Sequence, residues 1–106
     1  MIELRFTKPS QLGEVKIVLR IVRHLLYFKY SHSDYAEQAI KQFRAKGIRF
    51  RKSPNWLEVD IFGDNKVVKI GDEEIDLEED KDEAIEKKLS DFYVVQYVKS
   101  GFKMVL

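Results

Sequence analysis

An α+β fold built on an antiparallel sheet is predicted by three features of the chain. Residues 48–62 read as a hairpin. Leu57, Val59 and Ile61 alternate with Glu58 and Asp60, the period of two that marks a half-buried strand, and Ser53-Pro54-Asn55 interrupts the run as a turn would. Residues 34–46 read as a helix, because Ala36, Ile40 and Phe43 share one helical face and Gly47 stands where a left-handed C-terminal cap is wanted. Residues 78–83 are almost wholly charged and acidic, which suits the positive end of a second helix.

The elements follow in order. Ile2, Leu4 and Phe6 alternate with Glu3 and Arg5, a first strand that Lys8-Pro9-Ser10 ends, since proline cannot continue the ladder. Residues 11–30 admit two readings. Val15, Ile17, Leu19 and Ile21 alternate like a strand, whereas Val15, Val18, Leu19, Val22, Leu25 and Leu26 form a broad helical face opposite a stripe of Lys16, Arg20 and Arg23. The length of the run favours a mostly buried helix, as strands seldom exceed about ten residues. Asp34-Tyr35-Ala36-Glu37 then resembles a capping box with Asp in the cap position.

Beyond the hairpin, 66–70 forms a third strand after the turn Gly63-Asp64-Asn65, and 73–77 a short edge strand in which Ile75 and Leu77 alternate with Glu74 and Asp76. Ala84, Ile85, Leu89 and Phe92 continue the acidic helix. Residues 92–98 suit either an extension of that helix or a strand; the reading adopted is helix, then a final strand at 102–106. The expected architecture is one domain, 1–106, with two to three helices on one face of an antiparallel sheet. Without its additions the order reduces to β-α-β-β-α-β, the ferredoxin-like arrangement.

Composition bounds the function. The 106 residues are 44% hydrophobic and 35% charged, a globular balance with a heavily charged surface. The absence of cysteine excludes a disulfide framework, a thiolate nucleophile and a cysteine-based metal site. No apolar run approaches the roughly 20 residues of a membrane span. M-I-E-L-R-F does not read as a signal sequence, so no membrane partner and a cytoplasmic location are expected. Abundant Lys and Glu with one Thr and two Asn match thermophile usage and predict a thermophilic source. The net charge of +1 conceals a division: residues 1–56 hold 12 Lys and Arg against 4 acids, and residues 57–106 hold 7 against 14, leaving halves of +8 and −7.

Candidate chemistry centres on Arg49, Phe50, Arg51, Lys52 and Trp56 of the hairpin, with Lys41, Arg44 and Lys46 on the helix before it. Positive charge along a track with a flat ring beside it is what single-stranded nucleic acid requires: cations for phosphates and a face on which a base can stack. On a strand Arg49 and Arg51 share a face and Phe50 points the other way. Trp56 is out of phase with Leu57, Val59 and Ile61. The competing reading is a cross-strand ladder of Arg49 and Arg51 with Glu58 and Asp60.

Other constellations are weaker. His24 and His32 lack the third and fourth converging ligands of a zinc site. His32 with Ser31, Ser33 and Asp34 is better explained as a loop and helix cap than as a triad, because sequence neighbours rarely converge in that geometry. Asp64-Asn65-Lys66 near Asp60 and Asp72 is turn chemistry before it is a metal-dependent nuclease centre. The expectation is a non-enzymatic nucleic-acid-binding module without metal or cofactor, using Lys41, Arg44, Lys46, Arg49, Arg51, Lys52 and Trp56. The alternative is a protein-interaction module or homodimer that joins the basic half of one chain to the acidic half of another.

Overall fold

The computed structural model describes residues 2–7, 17–22, 25–70, 72–90 and 93–106. Nine strands and two helices are found among them: β1 (Glu3–Thr7), β2 (Ile17–Val22), β3 (Leu25–Tyr30), α1 (Ser33–Lys46), β4 (Arg49–Lys52), β5 (Trp56–Asp60), β6 (Val67–Ile70), β7 (Glu73–Asp76), α2 (Asp82–Ser90), β8 (Val94–Val98) and β9 (Gly101–Val105). All six strand pairings are antiparallel. The α+β class therefore holds, but the single sheet does not. The strands form a three-stranded sheet in the order β1-β9-β8, a four-stranded sheet in the order β2-β3-β5-β4, and the separate ribbon β6-β7. A ferredoxin-like arrangement needs one sheet threaded by both helices, and these sheets do not supply it. The third strand of the expected meander leaves β5 and pairs with β7 instead.

Two expected helical stretches are strands. Residues 17–22 and 25–30 make the hairpin β2–β3, in register from Ile17 opposite Tyr30 to Val22 opposite Leu25. Alternation is the physical reason: Ile17, Leu19 and Ile21 turn inward, while Val18, Arg20 and Val22 are exposed. Residues 11–16, 23 and 24, among them Lys16, Arg23 and His24, lie outside the described residues. Likewise α2 ends at Ser90 and 94–98 is β8, held in register by β9 from Val94 opposite Val105 to Val98 opposite Gly101.

The first helix forms as its pattern predicts, with a different cap. His32, not Asp34, is the N-cap, its Nδ1 accepting from the Asp34 N–H at 3.2 Å, and Asp34 becomes a first-turn acid at the positive end of the helix dipole. Gly47 closes the other end at φ 70°, a left-handed conformation that costs glycine little, and its N–H and that of Ile48 donate to the carbonyls of Arg44 and Phe43. Tyr35, Ala36, Ala39 and Phe43 form the buried stripe.

That stripe fills the space between the two larger sheets. Phe6 of β1 stacks on Phe102 of β9 at 4.7 Å and approaches Phe28 of β3 at 6.1 Å, with Tyr35 edge-on to both Phe6 and Phe102. Leu26, Leu57 and Val59 complete the inward face of the four-stranded sheet. No charged side chain is buried among the described residues. The helix α2 packs on β2 and β7, and α1 on β1, β3 and β4. With its inward face covered, the four-stranded sheet turns its other face to solvent.

Candidate nucleic-acid interface

The outward face of the four-stranded sheet is set by register. Three rows cross it: Val18, Lys29 and Trp56; then Arg20, Tyr27, Glu58 and Arg51; then Val22 opposite Leu25, and Asp60 opposite Arg49. Because side chains alternate, these residues share one face, whereas Leu19, Phe28, Leu57 and Phe50 share the other. Arg49, Arg51 and Trp56 thus come together as their spacing predicts.

Trp56 is 41% exposed and sits diagonally against Tyr27, the ring centroids 4.6 Å apart and the planes tilted by 44°. The pair lies on the two central strands, β3 and β5, so it occupies the middle of the open face. Arg20, Lys29 and Arg51 surround it; all three are exposed, and none makes an ion pair among the described residues. Arg49 differs. Its Nη2 donates to Asp60 Oδ2 at 3.0 Å and to Asp64 Oδ1 at 3.3 Å, and Asp60 Oδ1 also accepts from the Gly63 N–H. Half of the expected cross-strand ladder therefore forms. Arg49 meets Asp60, whereas Arg51 stands opposite Glu58 without bonding to it. Exposed pairs such as Arg49–Asp60 are worth up to about 1 kcal/mol, so a phosphate can compete for that guanidinium. The Arg49 contacts also bring a base of the basic half to acids of the acidic half within one chain.

The helical cations fall elsewhere. Lys41, Arg44 and Lys46 are on α1, which packs behind the sheet. Arg44 reaches the β4 edge, its guanidinium 5.4 Å from the centre of the Phe50 ring. Lys41 lines a shallow groove with Thr7, Asp34, Glu37 and Gln38, away from Trp56. Lys52 has the inward parity of Leu57 and sits at the end of β4.

Tyr27 and Lys29 escaped the sequence reading, and Arg20 entered it only as part of a helical basic stripe, since a helix over 11–30 gives no reason to place them beside Trp56. The signal that could have found them is the alternation of 17–22, resumed over 25–30.

Other features are structural. His32 caps α1. Asp64 pairs with Arg49, and Lys66 approaches Glu78 at 3.7 Å. Among the described residues no three His, Asp or Glu side chains are grouped to hold a metal ion. An enclosed cavity of about 50 Å3 is lined mostly by apolar side chains, among them Leu19, Ile21, Leu26 and Leu89, with Arg20, Glu86 and Ser90 also at its wall. No helix among the described residues is long and apolar enough to cross a membrane. Compared with family models, with curated proteins and with solved structures, the chain matches none.

Proposed function

We propose that the outward face of the β2-β3-β5-β4 sheet binds nucleic acid without catalysing a reaction, with unpaired bases stacking on Trp56 and Tyr27. Arg51, Lys29 and Arg20 neutralise phosphates around the ring pair, and Arg49 exchanges its carboxylates for phosphate. Lys52 and Arg44 extend the positive track around the β4 edge. Lys46 contributes longer-range charge, and Lys41 stands apart. The observation that supports this reading best is the ring pair of exposed Trp56 and half-buried Tyr27 in the middle of an open sheet face, beside Arg20, Lys29 and Arg51, cations that have no ion-pair partner among the described residues. Stacking on such rings is tolerant of sequence and is worth about 1–3 kcal/mol per base.

Trp56 is the only tryptophan, so intrinsic fluorescence reports on the site itself. Oligonucleotides are titrated at about 50 and 200 mM salt, the range over which phosphate contacts lose most affinity. Quenching that weakens with salt is expected. Anisotropy of labelled strands should then show Trp56→Ala losing about 1–3 kcal/mol, and Arg51→Ala lowering the salt slope by about 1. Absence of binding to any single strand or duplex at the lower salt would overturn the reading.

A further inference from the structure

The sheet edges of this chain are protected unequally. The outer edge of β1 is sealed by α1: Gln42 exchanges hydrogen bonds with the Arg5 N–H and carbonyl at 2.7 and 2.6 Å, and Gln38 does the same for Thr7 at 2.6 and 3.0 Å. The edge strand β4 carries Arg49, Arg51 and Lys52, cations that discourage pairing with another chain, and β2 carries Arg20 and has α2 packed on it. β6 carries Lys69, and β7 carries Glu73, Glu74 and Asp76. β8 alone among the described strands has no charged residue; it reads Val-Val-Gln-Tyr-Val. It pairs with β9 on one side and with no described strand on the other. Its Tyr97 is 69% exposed, the highest value among the described large hydrophobic residues.

We propose that two copies of the chain pair antiparallel through β8, in a register centred on Gln96. That register sets Val94 opposite Val98 and Val95 opposite Tyr97 of the second copy. A two-fold axis through a strand brings the central residue against its own image, so a charge there would repel itself; an uncharged, near-palindromic strand is self-complementary. The assembly also closes. Joining the two sheets gives six strands, β1-β9-β8-β8-β9-β1, whose outer edges are the two β1 strands already sealed by Gln38 and Gln42. Growth stops at the dimer. The Trp56 face belongs to the other sheet and is independent of this pairing.

The chain has no cysteine, so Gln96→Cys introduces a unique thiol. Opposed residues in an antiparallel pair have Cα atoms about 4.5–5.5 Å apart, within disulfide range. Under mild oxidation Gln96→Cys is expected to cross-link at least about tenfold faster than Val67→Cys, an exposed control on β6, because pairing raises the effective thiol concentration. Gln96→Glu keeps a favourable neighbour within the chain, Lys103 across β9, yet sets two carboxylates face to face in the dimer. Light scattering from micromolar to millimolar protein should show a dimer for the unmodified chain and a dimer several-fold weaker for Gln96→Glu, with unchanged circular dichroism. A monomer at every concentration overturns the proposal. So does growth beyond a dimer, or a dimer that Gln96→Glu leaves intact and Gln96→Cys cross-links no faster than the control.

Discussion

At Gly101 the chain has no room for a side chain. It pairs with both Thr7 and Val98, and a methyl group there would press into the Phe6 carbonyl oxygen, with the Phe6 carbonyl carbon at 3.2 Å and Thr7 Cα at 3.3 Å. The obstacle is backbone, which cannot swing aside as a flexible side chain would, so Gly101→Ala must part β1 from β9. A loss of about 1–3 kcal/mol is expected, read as a lower urea midpoint with an unchanged slope. Tyr35 presents the opposite case. It is fully buried, and its hydroxyl finds no hydrogen-bond partner in the described core. A buried hydroxyl left unpaired costs about 1–3 kcal/mol, so Tyr35→Phe is expected to raise stability. Each kcal/mol corresponds to roughly 4–8 °C in Tm for a domain of this size, which calorimetry resolves. A melting temperature that falls would show that the hydroxyl has a partner after all.

Elements meet here through a match of two periods. Four residues of α-helix rise about 6 Å and two residues of strand span about 6.8 Å. Glutamines at 38 and 42 therefore face the peptide groups of Arg5 and Thr7, each amide acting as a substitute strand residue. Gln38→Ala with Gln42→Ala removes four such bonds and should destabilise by about 2 kcal/mol or more, with amide exchange quickening at Arg5 and Thr7 and the protein precipitating more readily as an edge opens. Nothing in the sequence announces this contact, because its partners lie more than thirty residues apart. The same limit divides what was legible from what was not. The hairpin β4–β5, the helix α1 and its Gly47 cap follow from neighbours in sequence, and all are present. Residues 17–22 satisfy a helical and a strand pattern at once, and β3 arbitrates by pairing with β5, a decision made some thirty residues downstream. Residues 94–98 are settled by β9 in the same way. For the candidate site, local alternation places Arg49, Arg51 and Trp56 on one face, whereas Tyr27 and Lys29 join them only through the long-range register.

For the molecule as a whole, the +8 and −7 halves lie in one fold with a net charge of +1, so general self-repulsion is weak near neutral pH and local groups shape the dependence of stability on pH. Among the described residues, two carboxyl groups are held low and contribute to the acid side. The Asp80 carboxyl is held below the usual aspartate value by the Asp76 N–H and then by the Lys88 ammonium, each 3.0 Å from Oδ2. Lys88 also donates to the Glu74 carbonyl, fastening α2 to β7. Glu3 is held low by the Arg5 guanidinium and more weakly by Lys103. A depressed folded pKa stabilises the fold above the unfolded value, about 3.9 for Asp and 4.3 for Glu, and that contribution disappears as pH falls through the folded value. On the alkaline side, burial and then the Asp34 charge raise the Tyr35 phenol. The unfolded chain releases that proton first, near pH 10, so stability falls as pH rises from there toward the folded value. Thermal melts from about pH 2 to pH 11 should therefore trace a dome whose two limbs respond to different substitutions. Asp80→Asn should lower Tm at neutral pH and converge with the unmodified chain in acid. Tyr35→Phe should leave the acid limb alone and flatten the alkaline one. If Asp80→Asn gave the same deficit at every pH, the clasp would act through shape rather than charge. If Tyr35→Phe kept the alkaline fall, another buried acid would have to be responsible for it.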